Sequence, residues 1–201
     1  WGIRVERFRA DVSYQDVFYR HRAYSRWKGL PVAERYGFPF QKGAWCNDRL
    51  KMAAIKKAKT KNSISYVGVA SDEHLRIAKH IYKKDVKMPL VEAGWTETMC
   101  RDWCQQNDLL SPIYTTAARG GCWFCHNQGV EQLRLLRKHY PGYWQLLLKW
   151  DNDSPVTFKA DGHTVHDFEE RFRLEDELLI DPSKPFRWSM LTSDLQYRMD
   201  I

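Results

Sequence analysis

Four of the five cysteines form two close pairs. Cys100 and Cys104 lie in Met-Cys-Arg-Asp-Trp-Cys, and Cys122 and Cys125 lie in Gly-Gly-Cys-Trp-Phe-Cys. On a helix, the spacing of the first pair puts both sulfurs on one face, about 6 Å apart. A Cys-x-x-Cys loop preceded by two glycines can turn both sulfurs toward one ion or cluster. Cysteine can also be a small buried apolar residue, but two pairs this close together predict a metal site.

Composition limits the class of protein. The chain has 201 residues, five cysteines and a formal charge of +7, with 9 tryptophans, 10 tyrosines and 9 phenylalanines. The aromatic content predicts a folded domain with a sizeable core. An odd number of cysteines, with no apolar leader or membrane-length run, predicts a reduced, soluble, cytoplasmic protein. The positive net charge favours a nucleotide or polynucleotide partner, although a solvated basic surface would give the same net charge.

Local patterns predict strands alternating with helices. The regular elements predicted from periodicity, caps and breakers are strands at 2–8, 63–70 and 88–93, and helices at 14–27, 47–59, 75–82, 130–138, 143–150 and 165–179. Thr96 is predicted to start a further helix that carries Cys100 and Cys104. A strand followed by a polar loop and a helix is a βα unit, so an α/β fold is expected.

Three regions are predicted. Residues 1–95 form part of an α/β nucleotide-binding core, and residues 96–150 form a cysteine-bearing helical and loop region packed on it. Residues 151–201 form a helical extension. The expected sheet is open and mostly parallel, with flanking helices, and the cysteine-rich C-terminal portion is helical.

Four ordered motifs resemble a known family. They are Trp45-Cys46-Asn-Asp-Arg49-Leu-Lys51, Tyr66-Val-Gly68-Val-Ala-Ser-Asp72-Glu73-His-Leu-Arg76, Pro89-Leu-Val-Glu92-Ala-Gly94-Trp-Thr96-Glu97 and Arg119-Gly-Gly-Cys122-Trp-Phe-Cys125. Together they resemble the phosphoadenosine-phosphosulfate reductase family of the adenine-nucleotide α-hydrolase superfamily. The resemblance covers 1–150, and 168–175 is similar to uncharacterised prokaryotic and phage members.

The resemblance implies activated-sulfur chemistry. It implies an open α/β sheet that binds an adenine nucleotide or sulfonucleotide across its carboxyl edge. Members include sulfonucleotide reductases, relatives include sulfurtransferases that thiolate nucleic acid, and several branches carry an iron–sulfur cluster. A thiol donor protein, a companion chain or a homo-oligomer would be the protein partners.

The cysteines allow two ligand sets. The first is a closed Cys₄ site of Cys100, Cys104, Cys122 and Cys125, which leaves Cys46 as the candidate catalytic thiol. In the second, which the reductase resemblance implies, Cys46 joins Cys122, Cys125 and one member of the helical pair around a 4Fe–4S cluster. Zinc is the alternative metal, and His126 could occupy one corner of the site.

Two family features are absent from the 201 residues. The glycine- and serine-rich nucleotide loop does not occur, so either a segment before Trp1 carries it or the chain is a shortened member. The Glu-Cys-Gly tail, whose cysteine is the nucleophile in the reductases, does not occur either. Direct sulfite release by that route is therefore not expected of this chain alone.

The candidate anion-binding residues are Arg49, Lys51, Asp72, Glu73, Arg76 and Arg119. Arg49 and Lys51 follow Cys46 at a helix start, and Arg119 precedes the cysteine loop, where cations can hold phosphate or sulfate. Two functions are carried forward. The first is a sulfonucleotide reductase-like or sulfurtransferase-like enzyme. The second is a basic nucleic-acid-binding module with a structural Cys₄ site.

Overall fold

The computed structural model describes residues 2, 4–22, 35–39, 44–115 and 120–191. The chain forms two compact units. Unit 1 comprises Trp1–Phe8 and Ala54–Thr115, and unit 2 comprises Arg9–Ala53 and Thr116–Ile201. The ranges of both units also span residues outside the described set.

The elements of unit 1 are short. The π-helical segment Asn47–Met52 belongs to unit 2 and is followed by α2 (Ala53–Ala58), which belongs to unit 1 from Ala54 onward. The elements that follow are β1 (Ser65–Tyr66), α3 (His74–Ala78), β2 (Val86–Lys87), α4 (Pro89–Glu92), α5 (Glu97–Gln106) and a 3₁₀ turn (Pro112–Thr115). β1 and β2 pair in parallel, with Ser65 opposite Val86 and Tyr66 opposite Lys87.

The prediction of an open, mostly parallel sheet is wrong. Among the described residues 47% are helical and 4% are in strands, and β1 and β2 form a sheet of two strands. The predicted strand at 88–93 is instead α4, because Pro89 stands at the start of a helix, where its missing N–H costs nothing. The described part of 2–8 is not a strand. β1 lies within the strand predicted at 63–70, and α3 overlaps the helix predicted at 75–82.

Unit 2 is helical. It contains α1 (Tyr14–Phe18), α6 (Val130–His139), α7 (Pro141–Asp153) and α8 (Val165–Asp176). Ser13 caps α1 and Thr164 caps α8. In each case the cap hydroxyl accepts from the backbone N–H of the aspartate three positions later, and that carboxylate accepts from the backbone N–H of the cap residue. These bounds confirm the helices predicted near 130–138, 143–150 and 165–179.

The core of unit 2 is aromatic. α7 contributes Trp144, Leu147 and Trp150, whose spacing places them on one face of the helix. Phe168 and Phe172 of α8 pack into the same cluster. Gly37 has a φ of +62°, and a Cβ there would stand 2.8 Å from Pro155 Cδ, so glycine permits the close approach of these two segments.

In the described part of the chain, no helix is long and apolar enough to cross a membrane.

Candidate metal centre

Cys46 is positioned by the tryptophan that precedes it. The Trp45 indole N–H donates to the Gly37 carbonyl at 3.2 Å, and the Trp45 ring lies 4.8 Å from the ring of Tyr14. Trp45 is buried, and Cys46 follows it at the beginning of the π-helical segment. π-helical turns are frequent at functional sites. The buried indole thus fixes where the Cys46 thiol emerges from the helix.

The loop from Cys122 to Gln128 is held by its own backbone. The Cys125 N–H donates to the Cys122 carbonyl at 3.0 Å, and the Gln128 side-chain amide donates to the same carbonyl at 2.7 Å. These bonds turn the chain so that Cys122 is exposed and Cys125 is half-buried. Gly121 lacks a positive φ, and a Cβ there would meet no atom within 4 Å, so the turn does not depend on that glycine.

Tyr14 is the residue on which three cysteines act electrostatically. Burial first, and then the negative charges of the Cys46, Cys125 and Cys122 thiolates, raise the pKa of Tyr14 well above its ordinary value. The Tyr14 hydroxyl is buried and has no hydrogen-bond partner in the described residues. One hydroxyl therefore lies within electrostatic reach of Cys46, Cys122 and Cys125, which we call the thiol centre.

The electrostatics of the thiol centre are unfavourable to free thiolates. Burial first, and then the charge of Cys125, raise the pKa of the Cys46 thiol. The same two causes raise the pKa of the Cys122 thiol, although the nearby Lys51 ammonium opposes them. A bound metal cation would stabilise the thiolate forms, because its positive charge offsets the cost of burial and the repulsion between thiolates.

Aromatic rings form a wall beside the thiol centre. The rings of Trp123 and Tyr143 are stacked with centroids 4.7 Å apart, and Trp123 also lies 5.3 Å from Trp150. The Phe124 ring lies 4.2 Å from that of Tyr14. Both residues between Cys122 and Cys125 are therefore anchored in the aromatic core, and this anchoring restricts the orientation of the two thiols.

Lys159 holds the end of the cysteine loop. Its ammonium donates to the carbonyl of His126 at 2.7 Å and also to the carbonyl of Gln128. Burial lowers the pKa of Lys159, although the charges of Asp161 and Cys125 oppose this effect. Local sequence patterns did not indicate this role, because Lys159 is more than thirty positions from its acceptors.

His126 is the other buried polar group next to the loop. It is 6% exposed, and neither of its ring nitrogens has a hydrogen-bond partner in the described residues. Burial, followed by the charge of Lys159, lowers the pKa of His126, which keeps the imidazole neutral. A neutral imidazole can ligate a metal.

The other cysteine pair lies in unit 1. Thr96 caps α5 by accepting from the Met99 N–H at 3.2 Å, which confirms the predicted helix start. Cys100 and Cys104 are half-buried and one helical turn apart. Burial first, then Cys104 and nearby acidic side chains, raise the pKa of Cys100. The five cysteines are thus distributed as a pair in unit 1 and a group of three in unit 2.

The predicted anion-binding residues also fall into two groups. In unit 2, Arg49 donates to the Tyr36 hydroxyl at 2.7 Å and stacks on that ring, and Lys51 acts electrostatically on Cys122. Arg119 lies outside the described residues.

The group in unit 1 makes hydrogen bonds at helix starts. Asp72 accepts from the Glu97 N–H at the start of α5. Glu73 accepts from the Ala70 N–H and from Arg76, at 3.0 and 2.5 Å. These three side chains therefore stabilise a helix start and an i,i+3 ion pair, which is the alternative role that such a pattern has.

The chemistry of the donor set fits a metal, although its spacing differs from that of a site for one ion. No three His, Cys, Asp or Glu side chains among the described residues are close enough together to hold a single ion. Around zinc each sulfur stands about 2.3 Å from one ion. In a 4Fe–4S cluster each cysteine binds a different iron, so the cysteine sulfurs stand farther apart than around one ion. Cys46, Cys122 and Cys125 are the residues that would hold such a cluster.

Searches of protein-family models, of curated proteins and of solved structures each return no match to this chain.

Proposed function

We propose that the chain is a sulfonucleotide reductase-like or sulfurtransferase-like enzyme that holds an iron–sulfur cluster at the thiol centre. The observation that carries the proposal is the packing of Trp45 and Phe124 on Tyr14, with ring centroids 4.8 and 4.2 Å away, because Cys46 and Cys125 directly follow these two residues. Chance does not readily bring a thiol from one helix next to a distant Cys-x-x-Cys loop. A shared metal ligand would explain why thiols from separate segments lie within electrostatic reach of one another in a site that disfavours their charged forms.

The surroundings of the thiol centre suit a reaction on an anionic sulfur compound. Cys122 is exposed, so a substrate can reach this side of the centre, and the ammonium of Lys51 lies near it. Lys51 would bind a sulfate or phosphate group there by a charge-assisted hydrogen bond. A cluster, when bound, would supply electrons or an open iron position for sulfur. Electrons for reduction would come from a thiol donor protein.

Metal content tests the ligand assignment. The protein should be purified without oxygen and assayed for iron, sulfide, zinc and absorbance at about 400 nm. We expect Cys46→Ser, Cys122→Ser and Cys125→Ser each to lose most of the metal. Cys100→Ser and Cys104→Ser are the matched controls in unit 1, and at most one of them should lose the metal, because the second ligand set uses a single member of that pair.

The same measurement separates the two ligand sets. If Cys46→Ser retains all of its metal while Cys100→Ser and Cys104→Ser lose it, the closed Cys₄ set is correct and the thiol centre is not the site. If all five variants retain full metal, neither set is correct. Colourless protein with stoichiometric zinc would show that the site holds zinc and not an iron–sulfur cluster.

Ligand binding tests the enzyme class. Adenosine sulfonucleotide and adenine nucleotide should be titrated by calorimetry into wild type, Lys51→Ala and the exposed control Lys138→Ala. A hydrogen bond to a charged group contributes about 1.5–3 kcal/mol, so Lys51→Ala should weaken binding about 10- to 150-fold. Arg119→Ala, chosen from the sequence, is expected to have an effect in the same range. Equal affinity in wild type, Lys51→Ala and Arg119→Ala would contradict the proposed role of these two cations.

A further inference from the structure

One face of the strand pair in unit 1 is open to solvent. Side chains alternate along a strand, and Tyr66 lies directly opposite Lys87, so both point to the same face. Tyr66 is 73% exposed and Lys87 is also exposed. The intervening positions Ser65 and Val86 are half-buried on the other face. The exposed face therefore presents an aromatic ring beside an ammonium group.

Lysines of two segments lie near the start of β2. Lys59 pairs with Asp85 at 2.5 Å, and the Ser65 N–H donates to the Asp85 carbonyl at 2.8 Å. These contacts bring the lysine-rich end of α2 next to the turn that leads into β2. Lys83 and Lys84 are exposed in that turn, within about 7 Å of Asp85 along the chain.

A second exposed ring precedes these lysines. Tyr82 is 92% exposed, which makes it the most exposed large apolar side chain among those described. An aromatic ring with so little burial does not stabilise unit 1. The exposed rings and lysines of this region form what we call the lysine–tyrosine surface: Lys59, Tyr66, Tyr82, Lys83, Lys84 and Lys87.

We propose that the lysine–tyrosine surface binds single-stranded nucleic acid. Lysines bind successive phosphates, and exposed tyrosines provide flat faces on which unpaired bases stack. The one acidic residue between positions 79 and 87 is Asp85, and Lys59 already neutralises it. The surface is therefore cationic and complementary to a phosphate backbone. Stacking on Tyr66 and Tyr82 requires bases that are not paired, which excludes a duplex as the preferred ligand.

This surface is separate from the residues of the thiol centre, all of which belong to unit 2. The proposal therefore does not depend on the metal or on sulfur chemistry. RNA and DNA share the phosphates and bases on which it rests. They differ in the 2′-hydroxyl, so parallel measurements with both polymers identify the natural ligand.

The test is fluorescence anisotropy with labelled, unstructured 12-nucleotide RNA and DNA strands. We expect both or one of them to bind, with affinity that falls about 50-fold between 50 and 200 mM salt if four phosphates are contacted. Lys83→Glu, Lys84→Glu and Lys87→Glu combined should weaken binding at least about tenfold. Lys138→Glu, Lys149→Glu and Lys184→Glu combined make the same charge change in unit 2 and should weaken binding far less.

The tyrosines are tested by paired substitutions. Tyr66→Leu with Tyr82→Leu should weaken binding about tenfold or more, because an aliphatic side chain cannot stack on a base. Tyr66→Phe with Tyr82→Phe should bind like wild type. All of these side chains are exposed, so circular dichroism and thermal unfolding should show that every variant is folded.

Several outcomes would overturn the proposal. They are equal losses in the two lysine triples, equal affinity of the leucine and phenylalanine pairs, or equal affinity for duplex and single strand. Binding to vesicles containing phosphatidylserine without binding to either oligonucleotide would assign the surface to a membrane instead. Loss of the metal centre in a cysteine variant should leave oligonucleotide affinity unchanged, so failure of the proposed enzyme function would be seen separately.

Discussion

Unit 1 and unit 2 differ in what they do with their apolar side chains. Of the apolar side chains that are buried among the described residues, Val69 and Ala70 lie in unit 1 and all the others lie in unit 2. Unit 1 instead exposes large apolar side chains, among them Leu75 at 83% and Ile81 at 59%. Burial is the main source of folding free energy, so unit 2 has the larger reserve of stability.

The comparison extends to charged groups. In unit 2 the Glu175 carboxylate is 5% exposed and accepts from both Arg134 and Arg171, each at 2.8 Å. In unit 1 the Lys59–Asp85 pair is exposed on both sides. A side chain can be held within a narrow range of orientations only where its neighbours are packed. Unit 2 is therefore suited to a site of defined geometry, and unit 1 is suited to a surface that binds a flexible polymer.

The largest expected effect is the loss of a core ring in unit 2. Phe172 is 1% exposed and lies 5.8 Å from the ring of Trp144. Phe172→Ala should lower the free energy of unfolding by about 3–5 kcal/mol, from lost burial and the cavity that remains. Leu75→Ala, at an exposed position of unit 1, should change it by less than about 0.5 kcal/mol. Urea denaturation followed by circular dichroism measures both, and similar losses would remove the contrast between the units.

The next effect concerns the buried carboxylate. Glu175→Gln leaves Arg134 and Arg171 without their shared acceptor charge, so we expect a loss of about 1.5–3 kcal/mol at pH 7. Glu92→Gln, at an exposed position of unit 1, is the control and should be nearly neutral. A loss at Glu175 no larger than that at Glu92 would show that the buried ion network does not stabilise unit 2.

The same residue predicts a pH dependence. Burial alone would raise the pKa of Glu175, but the hydrogen bonds from Arg134 and Arg171 prevail and hold the pKa below its ordinary value. A carboxyl group with a lowered pKa in the folded state stabilises the fold above its unfolded pKa, about 4.3. That contribution is lost as pH falls through the folded pKa. Wild type should therefore lose more stability than Glu175→Gln between pH 5 and the acid limit of folding, in urea titrations at stepped pH.

A smaller effect of opposite sign is expected at the thiol centre. The Tyr14 hydroxyl is buried without a partner, so Tyr14→Phe should stabilise the metal-free protein by about 1 kcal/mol. Tyr19→Phe is the matched control. Its hydroxyl donates to Asp153 at 2.8 Å, so that change should destabilise by about 1 kcal/mol. Thermal unfolding of chelator-treated protein measures both, and destabilisation by Tyr14→Phe would mean that its hydroxyl already has a partner.

The smallest effect is expected at the surface ion pair of unit 1. Hydrogen bonding and charge from Lys59 lower the pKa of Asp85, but both groups are exposed and solvent screens them. Asp85→Asn should therefore leave the midpoint of urea unfolding unchanged within error at 0.15 M salt. A clear shift of the midpoint would show that unit 1 depends on this pair more than its exposure implies.

Helix positions could be predicted from local signals. The hydroxyl oxygens of Thr96 and Thr164 each accept from the backbone N–H three residues later. Both helices start where the sequence predicts. Pro141 permits a helix start, and α7 runs through 143–150 as expected. The strand predicted at 88–93 failed for a local reason as well, because an apolar run of that length fits a helix or a strand equally.

The candidate site could be predicted only in part. The spacing of Cys122 and Cys125 identified them as metal ligands, whereas Cys46 was identified as a ligand only through the family resemblance and otherwise as a free catalytic thiol. It did not indicate Tyr14 or Lys159, because their contacts with the cysteine loop span long separations in the chain. Arg119 lies outside the described residues, so its predicted role stays a prediction.

The sequence by itself determined the positions of helices, the positive charge and the presence of closely spaced thiols, because each depends on residues that are neighbours in the chain. Only the tertiary structure decided that Cys46 lies within electrostatic reach of Cys122 and Cys125, and that the described strands form a sheet of two. Strand pairing and side-chain convergence depend on which distant segments pack together. That choice is made by the aromatic core as a whole, since burial acts on the whole fold and not on one segment.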